Sequence, residues 1–152
     1  MVGDGDRSPA TARALREQAR RAGLEDRITW HGALGPEAVA ALMADCDLFV
    51  FPSTFEAYGT VLAEAVAAGL PVLANRVGAA DRLVAHGATG CLVRVGDWDG
   101  FGRDLRRLLV DAGLRDAFRE GLRARPVRGW DAAFADFRSA CEAICANGTS
   151  PR

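Results

Sequence analysis

The chain has 152 residues, of which 49% are hydrophobic and 26% are charged, and these values fit one globular domain. Its formal net charge of -1 provides no overall electrostatic field that would attract nucleic acid or an anionic membrane. All 19 basic residues are arginines, spread along predicted helices near Asp and Glu, which is typical of a solvated helix surface.

The cysteines and the hydropathy pattern exclude further classes of protein. No two of the four cysteines form a C-x-x-C pair, and no histidine follows them at metal-ligand spacing. We therefore expect reduced thiols, no metal site and no cofactor. The sequence shows no signal-peptide pattern and no apolar run long enough to cross a bilayer, which predicts a cytoplasmic protein.

Helix-type and strand-type patterns alternate along the chain. Helices are predicted, in chain order, from Ser8-Pro9 to Gly23, from Gly35-Pro36 onward, from about 58 to 68, over 80–86, from Asp97 to Leu122, and over 131–145. Strands are predicted at 28–31, 48–51, 71–74 and 91–95, and the second of these is apolar enough to be buried on both faces. This alternation predicts a doubly wound α/β domain that binds its ligand at the carboxyl ends of parallel strands.

The run PSTFEAYGTVLAEAVAAGLPVLA at 52–74 carries two carboxylates, Glu56 and Glu64, eight residues apart. A helix that begins near Gly59 offers free backbone N–H groups to a phosphate, and glycine lets the ligand approach closely. Carboxylates beside that phosphate accept hydrogen bonds from hydroxyls, so the pattern suits a phosphorylated sugar. Glu56 by itself is also explained as a carboxylate stabilised by the helix dipole. Glu64 lies among apolar residues, and we expect it to be buried and partnered.

The same run resembles the E-x7-E signature of retaining GT-B glycosyltransferases that use nucleotide-sugar donors. Three further segments resemble the family: VGDG at 2–5, RITWHGAL at 27–34 and VGAADRLVAHGATGCLV at 77–93. Trp130 falls where the family often has an aromatic residue. The chain departs from the family at Ala57, and at Ala79 and Asp81, which replace the second glycine and the glutamate of G-G-x-x-E.

This resemblance implies a Rossmann-like doubly wound parallel sheet, the C-terminal half of a GT-B fold truncated at its N-terminus. Residues 1–146 would form the nucleotide-sugar-binding domain, and residues 147–152 a flexible tail. Glu56 would be the catalytic-site carboxylate that contacts donor-sugar hydroxyls, and Glu64 would accept from the ribose. The remaining implied donor contacts are backbone groups of Ala57, Tyr58, Gly59 and Thr60 at the sugar and distal phosphate, and Ala33 near the base.

The family's diphosphate-binding Arg/Lys pair and its acceptor-binding domain precede VGDG, so we expect both to be absent from this chain. The implied partners are a UDP-, GDP- or ADP-sugar and a separate N-terminal acceptor domain, and any membrane association would come through that other half. Without the acceptor domain and the Arg/Lys pair, we expect the chain to be inactive alone. We also expect two central strands of the sheet to be missing, which predicts marginal stability, self-association through exposed strand edges, or direct pairing of the strand at 28–31 with that at 48–51.

The residues leave other interpretations open. The chain could be a non-catalytic nucleotide-sugar-binding fragment, half of a split enzyme, or part of a GT-B epimerase or phosphorylase-like enzyme. Arg76 is the best local candidate for a phosphate contact, and a solvated loop arginine explains it equally well. His31 and His86 are expected to be structural, because the family's catalytic polar groups do not fall at these positions.

Overall fold

The computed structural model describes residues 1–3 and 8–125, together with positions 135, 138, 139, 141 and 142. The chain divides into two compact units, residues 1–47 and residues 48–152. Trp130 and the tail 147–152 lie outside the described residues, as does most of the predicted helix 131–145.

The first unit contains two α-helices, α1 at Pro9–Arg21 and α2 at Pro36–Ala44, with a 3-10 turn at Glu25–Arg27 between them. Both helices begin at a proline, as predicted, because proline suits the first turn of a helix. The first helix ends shortly before Gly23, also as predicted. Gly23 has a φ of +66°, a left-handed conformation that favours glycine at a helix end.

The predicted strand at 28–31 is not a regular strand. Among the described residues its segment pairs with 1–3 through a single parallel bridge, between Val2 and Gly32. The His31 amide donates to the Met1 carbonyl oxygen, and the Gly3 amide donates to the Gly32 carbonyl oxygen, each at 2.9 Å. Because a strand ladder needs a partner along several successive residues, this short contact leaves the segment extended without forming a ladder.

The second unit is built on a three-stranded parallel sheet in the order β1-β2-β3. The strands are β1 at Phe49–Phe51, β2 at Val72–Asn75 and β3 at Gly90–Val93. The helices are α3 at Thr60–Ala67, α4 at Ala80–Leu83, α5 at Trp98–Val110 and α6 at Ala112–Ala124. The predicted α/β class with parallel strands is therefore confirmed.

Two apolar clusters cover the two faces of the sheet, because side chains alternate along a strand. Val72 and Ala74 of β2 pack with Leu62 of α3 and with Ala80 and Leu83 of α4. Leu73, between them in sequence, packs on the other side with Phe101 and Leu108 of α5. All four residues of β2 are buried, as predicted for a strand covered on both faces.

Three further elements differ from the sequence-based prediction. Val50 in β1 is 38% exposed, so this strand is not buried on both faces; among the described residues of its unit, it pairs with one strand only. The helical pattern from Asp97 to Leu122 is two helices, separated at Asp111, whose carboxylate accepts from the Leu114 amide at 2.9 Å and so caps α6. Helix α4 ends at Leu83, since Val84 is extended.

The loop after β2 packs directly against the loop after β1. Gly78 has a φ of +55°, and a Cβ atom at this position would lie 2.6 Å from the Tyr58 carbonyl oxygen and 3.2 Å from the Glu56 Cβ. The amide of Ala79 donates to that same Tyr58 oxygen at 2.9 Å. Only glycine at position 78 allows the two loops to approach this closely.

We expect Gly78→Ala to destabilise the second unit more than Gly87→Ala. Both glycines have positive φ, +55° and +80°, but a Cβ at Gly87 would meet no atom within 4 Å. The left-handed backbone penalty of about 1–2 kcal/mol is common to both variants, so their difference measures the clash with the Tyr58 carbonyl. Overpacking should lower the free energy of unfolding by about 1–3 kcal/mol more in Gly78→Ala. Urea titrations would measure this, and equal losses would contradict the loop contact.

Candidate functional site

The site predicted from the sequence lies on the loop that joins β1 to α3. Residues 52–59 leave the carboxyl end of β1, and Gly59 is the N-cap of α3 with a φ of +88°. The carbonyl oxygen of Gly59 accepts from the amides of Leu62 and Ala63, at 3.0 and 3.3 Å. The amides of Thr60 and Val61 precede these and have no carbonyl partner within the helix, which makes this end of α3 electropositive.

Glu56 lies half-buried in this loop and is held from one side. The Ser53 hydroxyl lies 3.2 Å from Oε1 of Glu56 and 2.9 Å from the Phe55 carbonyl oxygen, and its single proton serves these two acceptors. Phe55 and Tyr58, on either side of Glu56, are 82% and 50% exposed. The loop therefore presents a carboxylate between two accessible aromatic rings.

The prediction that Glu64 is buried is wrong, because this residue is exposed. Helix α3 buries Leu62 and Ala65 against the sheet, and Glu64 falls on the opposite side of the helix. Its neighbours Ala63 and Ala67 have side chains too short to cover it. An exposed carboxylate needs no buried partner, so the cost of burial is no argument for a function of Glu64. The side chain is nevertheless accessible to a ligand.

Most of the predicted donor-binding residues belong to the second unit, and one belongs to the first. Glu56, Ala57, Tyr58, Gly59 and Thr60 are consecutive and belong to the second unit, and Glu64 follows one helical turn after Thr60. Of the four backbone positions, Gly59 is buried and the other three are exposed. Ala33 is an exposed bend residue of the first unit.

Asn75, which the sequence analysis did not single out, supports the loop from below. This residue ends β2, and only 1% of its surface is exposed. Its side-chain amide donates to the carbonyl oxygens of Pro52 and Ser53, both at 3.1 Å. A polar residue that directly follows the apolar run PVLA was the available signal, since a buried amide needs hydrogen-bond partners.

The other polar candidates near the loops have local partners. The Arg76 guanidinium pairs with the carboxylate of Asp81, and both side chains are largely exposed. Nδ1 of His86 accepts from the Leu92 amide at 2.9 Å, which supports the structural role predicted for it. His31 is exposed in the first unit.

In the part of the chain that the structure describes, no three His, Cys, Asp or Glu side chains are grouped so that they could hold a metal ion. Within the same residues, no helix combines the length and the apolar character needed to cross a membrane. Of the three described cysteines, Cys46 and Cys141 are exposed, and burial raises the pKa of the Cys91 thiol.

The first unit contains a cavity of about 210 Å³. It is lined by residues of α1, by Met1, Val2 and Gly3, and by Trp30 and Gly32. The Arg16 guanidinium lies 5.4 Å from the centre of the Trp30 ring, within range of a cation–π contact. Ala33, the predicted site residue of this unit, is not among the residues that line the cavity.

Comparison with known proteins identifies the family. Residues 1–125 match the model of the family described as glycosyl transferases group 1. N-acetyl-alpha-D-glucosaminyl L-malate synthase from Bacillus anthracis is 35% identical over 139 residues, which are 91% of this chain and 33% of that protein. The chain thus spans about a third of the length of this curated relative.

Two solved structures resemble the chain in fold. Sucrose-phosphate synthase from Thermosynechococcus elongatus has a TM-score of 0.73 at 29% identity, and the matched region is 96% of this chain and 38% of the synthase chain. HepE from Anabaena, solved in complex with UDP-glucose, has a TM-score of 0.71 at 31% identity, and the matched region is 81% of this chain and 34% of the HepE chain. The chain therefore belongs to the group 1 glycosyltransferases, and its parallel α/β sheet is that of the GT-B fold.

Proposed function

We propose that the chain binds the nucleotide-sugar donor of a retaining glycosyltransferase and forms the donor half of its active site. One observation carries the proposal: the carboxyl end of β1 leads through the half-buried Glu56 directly into the electropositive N-terminus of α3. Parallel α/β sheets bind ligands at this end of their strands. The solved structures of HepE with UDP-glucose and with UDP support a donor of this class.

The N-terminus of α3 is the proposed site of the distal phosphate. The amides of Thr60 and Val61 have no partner within the helix, and the helix dipole adds to their attraction for an anion. Gly59, in its left-handed conformation, brings the backbone close to the ligand without a side chain in the way. Amides held in fixed positions stabilise the charge of a leaving diphosphate without a metal ion.

The two carboxylates take different parts of the donor. Glu56 precedes the phosphate position and is held by Ser53, which suits hydrogen bonds from hydroxyls of the transferred sugar. Glu64 lies four residues into α3, about 6 Å along the helix axis from Thr60, and suits the ribose hydroxyls. Ala33 would contact the base through its backbone, as the family resemblance implies.

Arg76 is the proposed additional phosphate ligand. Its ion pair with Asp81 is exposed, and an exposed pair contributes about 0–1 kcal/mol. A diphosphate with two charges can therefore compete with Asp81 for the guanidinium at little cost.

The acceptor site and the family's Arg/Lys pair are proposed to lie on another segment or another chain. A purely binding role and an epimerase or phosphorylase-like reaction remain the alternatives. Supplying the acceptor half of a group 1 glycosyltransferase in trans distinguishes a transferase from a binding role. Sugar transfer supports a split or partial transferase, and donor binding without any turnover supports a binding role.

Residues 1–152 expressed alone should bind a nucleotide sugar and transfer nothing. Binding of the donor by itself stabilises the ground state, and the transition state also needs an acceptor held in line. Calorimetry with UDP-, GDP- and ADP-glucose would measure binding, and release of the nucleotide in the presence of an acceptor panel would measure turnover. Robust transfer by the isolated chain would overturn this expectation.

Glu64→Gln should weaken binding of the nucleoside diphosphate and of its glucose conjugate to the same extent. Loss of a charged hydrogen-bond acceptor costs about 1–3 kcal/mol, and the ribose is common to both ligands. Since Glu64 is exposed, the melting temperature should change little. Glu120→Gln, on the exposed side of α6, is the matched control. Unchanged affinity for both ligands would remove Glu64 from the ribose site.

Glu56→Gln should weaken binding of the sugar nucleotide alone. The proposed Glu56 contact is with the sugar, so the affinity for the nucleoside diphosphate should be unchanged, while the conjugate loses about 1–3 kcal/mol. Glutamine keeps the volume and the oxygen that faces Ser53. Calorimetric titration with both ligands measures the difference, and equal losses for the two would place Glu56 at the phosphate or ribose instead.

A further inference from the structure

We propose that Asn75 is a positioning residue that acts through Ser53 to hold the Glu56 carboxylate in its binding orientation. The proposal rests on the proposed function for the role of Glu56, and on the contacts of Asn75 for everything else. Asn75 lies at the carboxyl end of the fully buried strand β2, so its side chain projects from the most constrained strand of the sheet.

The first step of the support is from Asn75 to the loop backbone. Its side-chain amide has two N–H groups, and they donate to two successive carbonyl oxygens, those of Pro52 and Ser53. Two hydrogen bonds from one rigid group fix the orientation of the peptide between these residues. Residues 52 and 53 follow the last paired residue of β1, so without Asn75 their carbonyl oxygens would lose these side-chain hydrogen bonds.

The second step is from Ser53 to Glu56. The Ser53 hydroxyl reaches the Glu56 Oε1 at 3.2 Å and the Phe55 carbonyl at 2.9 Å, and both distances depend on where the Ser53 backbone lies. A shift of that backbone by a few tenths of an ångström would break one or both contacts. Asn75 therefore controls the orientation of Glu56 without touching the ligand.

A second contact holds the other end of the same loop. The amide of Ala79 donates to the Tyr58 carbonyl at 2.9 Å, and Gly78 packs against the same peptide. Glu56 thus sits between two supports, one from the Asn75 side chain and one from the backbone that follows it. The Ala79 amide serves as a reporter of the loop, because its hydrogen bond ends on the loop itself.

The first experimental arm needs no ligand. The Phe49 amide, which donates to the Pro71 carbonyl oxygen at 2.9 Å and lies outside the loop, is the internal reference. In Asn75→Ala, the ratio of the amide hydrogen-exchange rate at Ala79 to that at Phe49, measured by NMR, should rise about tenfold. Thr89→Ala is the matched control: Thr89 is also 1% exposed, and its hydroxyl accepts from the Ala85 amide in a different turn. This control should lower stability without changing the exchange ratio. An unchanged ratio in Asn75→Ala overturns the proposal, whichever ligand the chain binds.

The second arm measures the ratio of the affinities for UDP-glucose and UDP. Asn75→Ala and Ser53→Ala should each reduce the preference for UDP-glucose severalfold, and the double variant should reduce it no further, because both act along one path. Thr89→Ala should keep the wild-type ratio. An unchanged ratio in Ser53→Ala, or additive losses in the double variant, would show that Asn75 does not act through Ser53.

The two arms separate this inference from the proposed function. If the wild-type chain binds neither UDP-glucose nor UDP, its donor is not UDP-glucose, and the exchange arm alone decides whether Asn75 holds the loop. If Asn75→Ala does not fold, Ser53→Ala carries the test, since it removes one hydroxyl from a half-buried position. A normal ligand preference in that variant would then overturn the proposal.

Discussion

The burial of β2 on both faces, and its pairing along both edges, is the constraint on which the second unit depends. Leu73 faces the α5 side and Val72 and Ala74 face the α3 side, while β1 and β3 take up the hydrogen bonds of its two edges. A strand held in four directions has little freedom to shift, because packed interiors tolerate small displacements poorly. Its carboxyl end is therefore a fixed point, and the loops of β1 and β2 meet there.

This fixed point explains how a loop with exposed side chains can hold a carboxylate in a defined orientation. Phe55 and Tyr58, on either side of Glu56, are both exposed. Two contacts hold the loop in place: the hydrogen bonds of the Asn75 side-chain amide and the packing of Gly78 against the Tyr58 peptide. Binding sites are more selective when such supports restrict their polar groups before the ligand arrives.

The two glutamates of the site differ in the freedom of their side chains. Glu56 is half-buried and contacts Ser53, so part of its conformational entropy is lost on folding and not on binding. Glu64 stands on a regular helix with an exposed side chain, and it would lose that entropy when a ligand binds. Under the proposed function, this difference would place a stricter geometric demand on the sugar than on the ribose.

The sequence by itself determined the fold class, the loop 52–59 as the candidate site, and the start of α3 at its glycine. These features depend on local patterns: an apolar strand, a glycine that accepts a left-handed φ, and the 3.6-residue period of the next helix. The family resemblance also rests on such local runs, which is why the E-x7-E segment was informative without a structure.

Only the tertiary structure decided the exposure of Glu64 and the support given by Asn75. Apolar neighbours in sequence predict burial only if they are large enough and on the same side, and Ala63 and Ala67 are too small to cover a carboxylate. The contacts of Asn75 with Pro52 and Gly78 with Tyr58 join residues about twenty positions apart. Such pairs are set by the register of parallel strands, which is a property of the packed sheet and leaves no periodic signal in either segment.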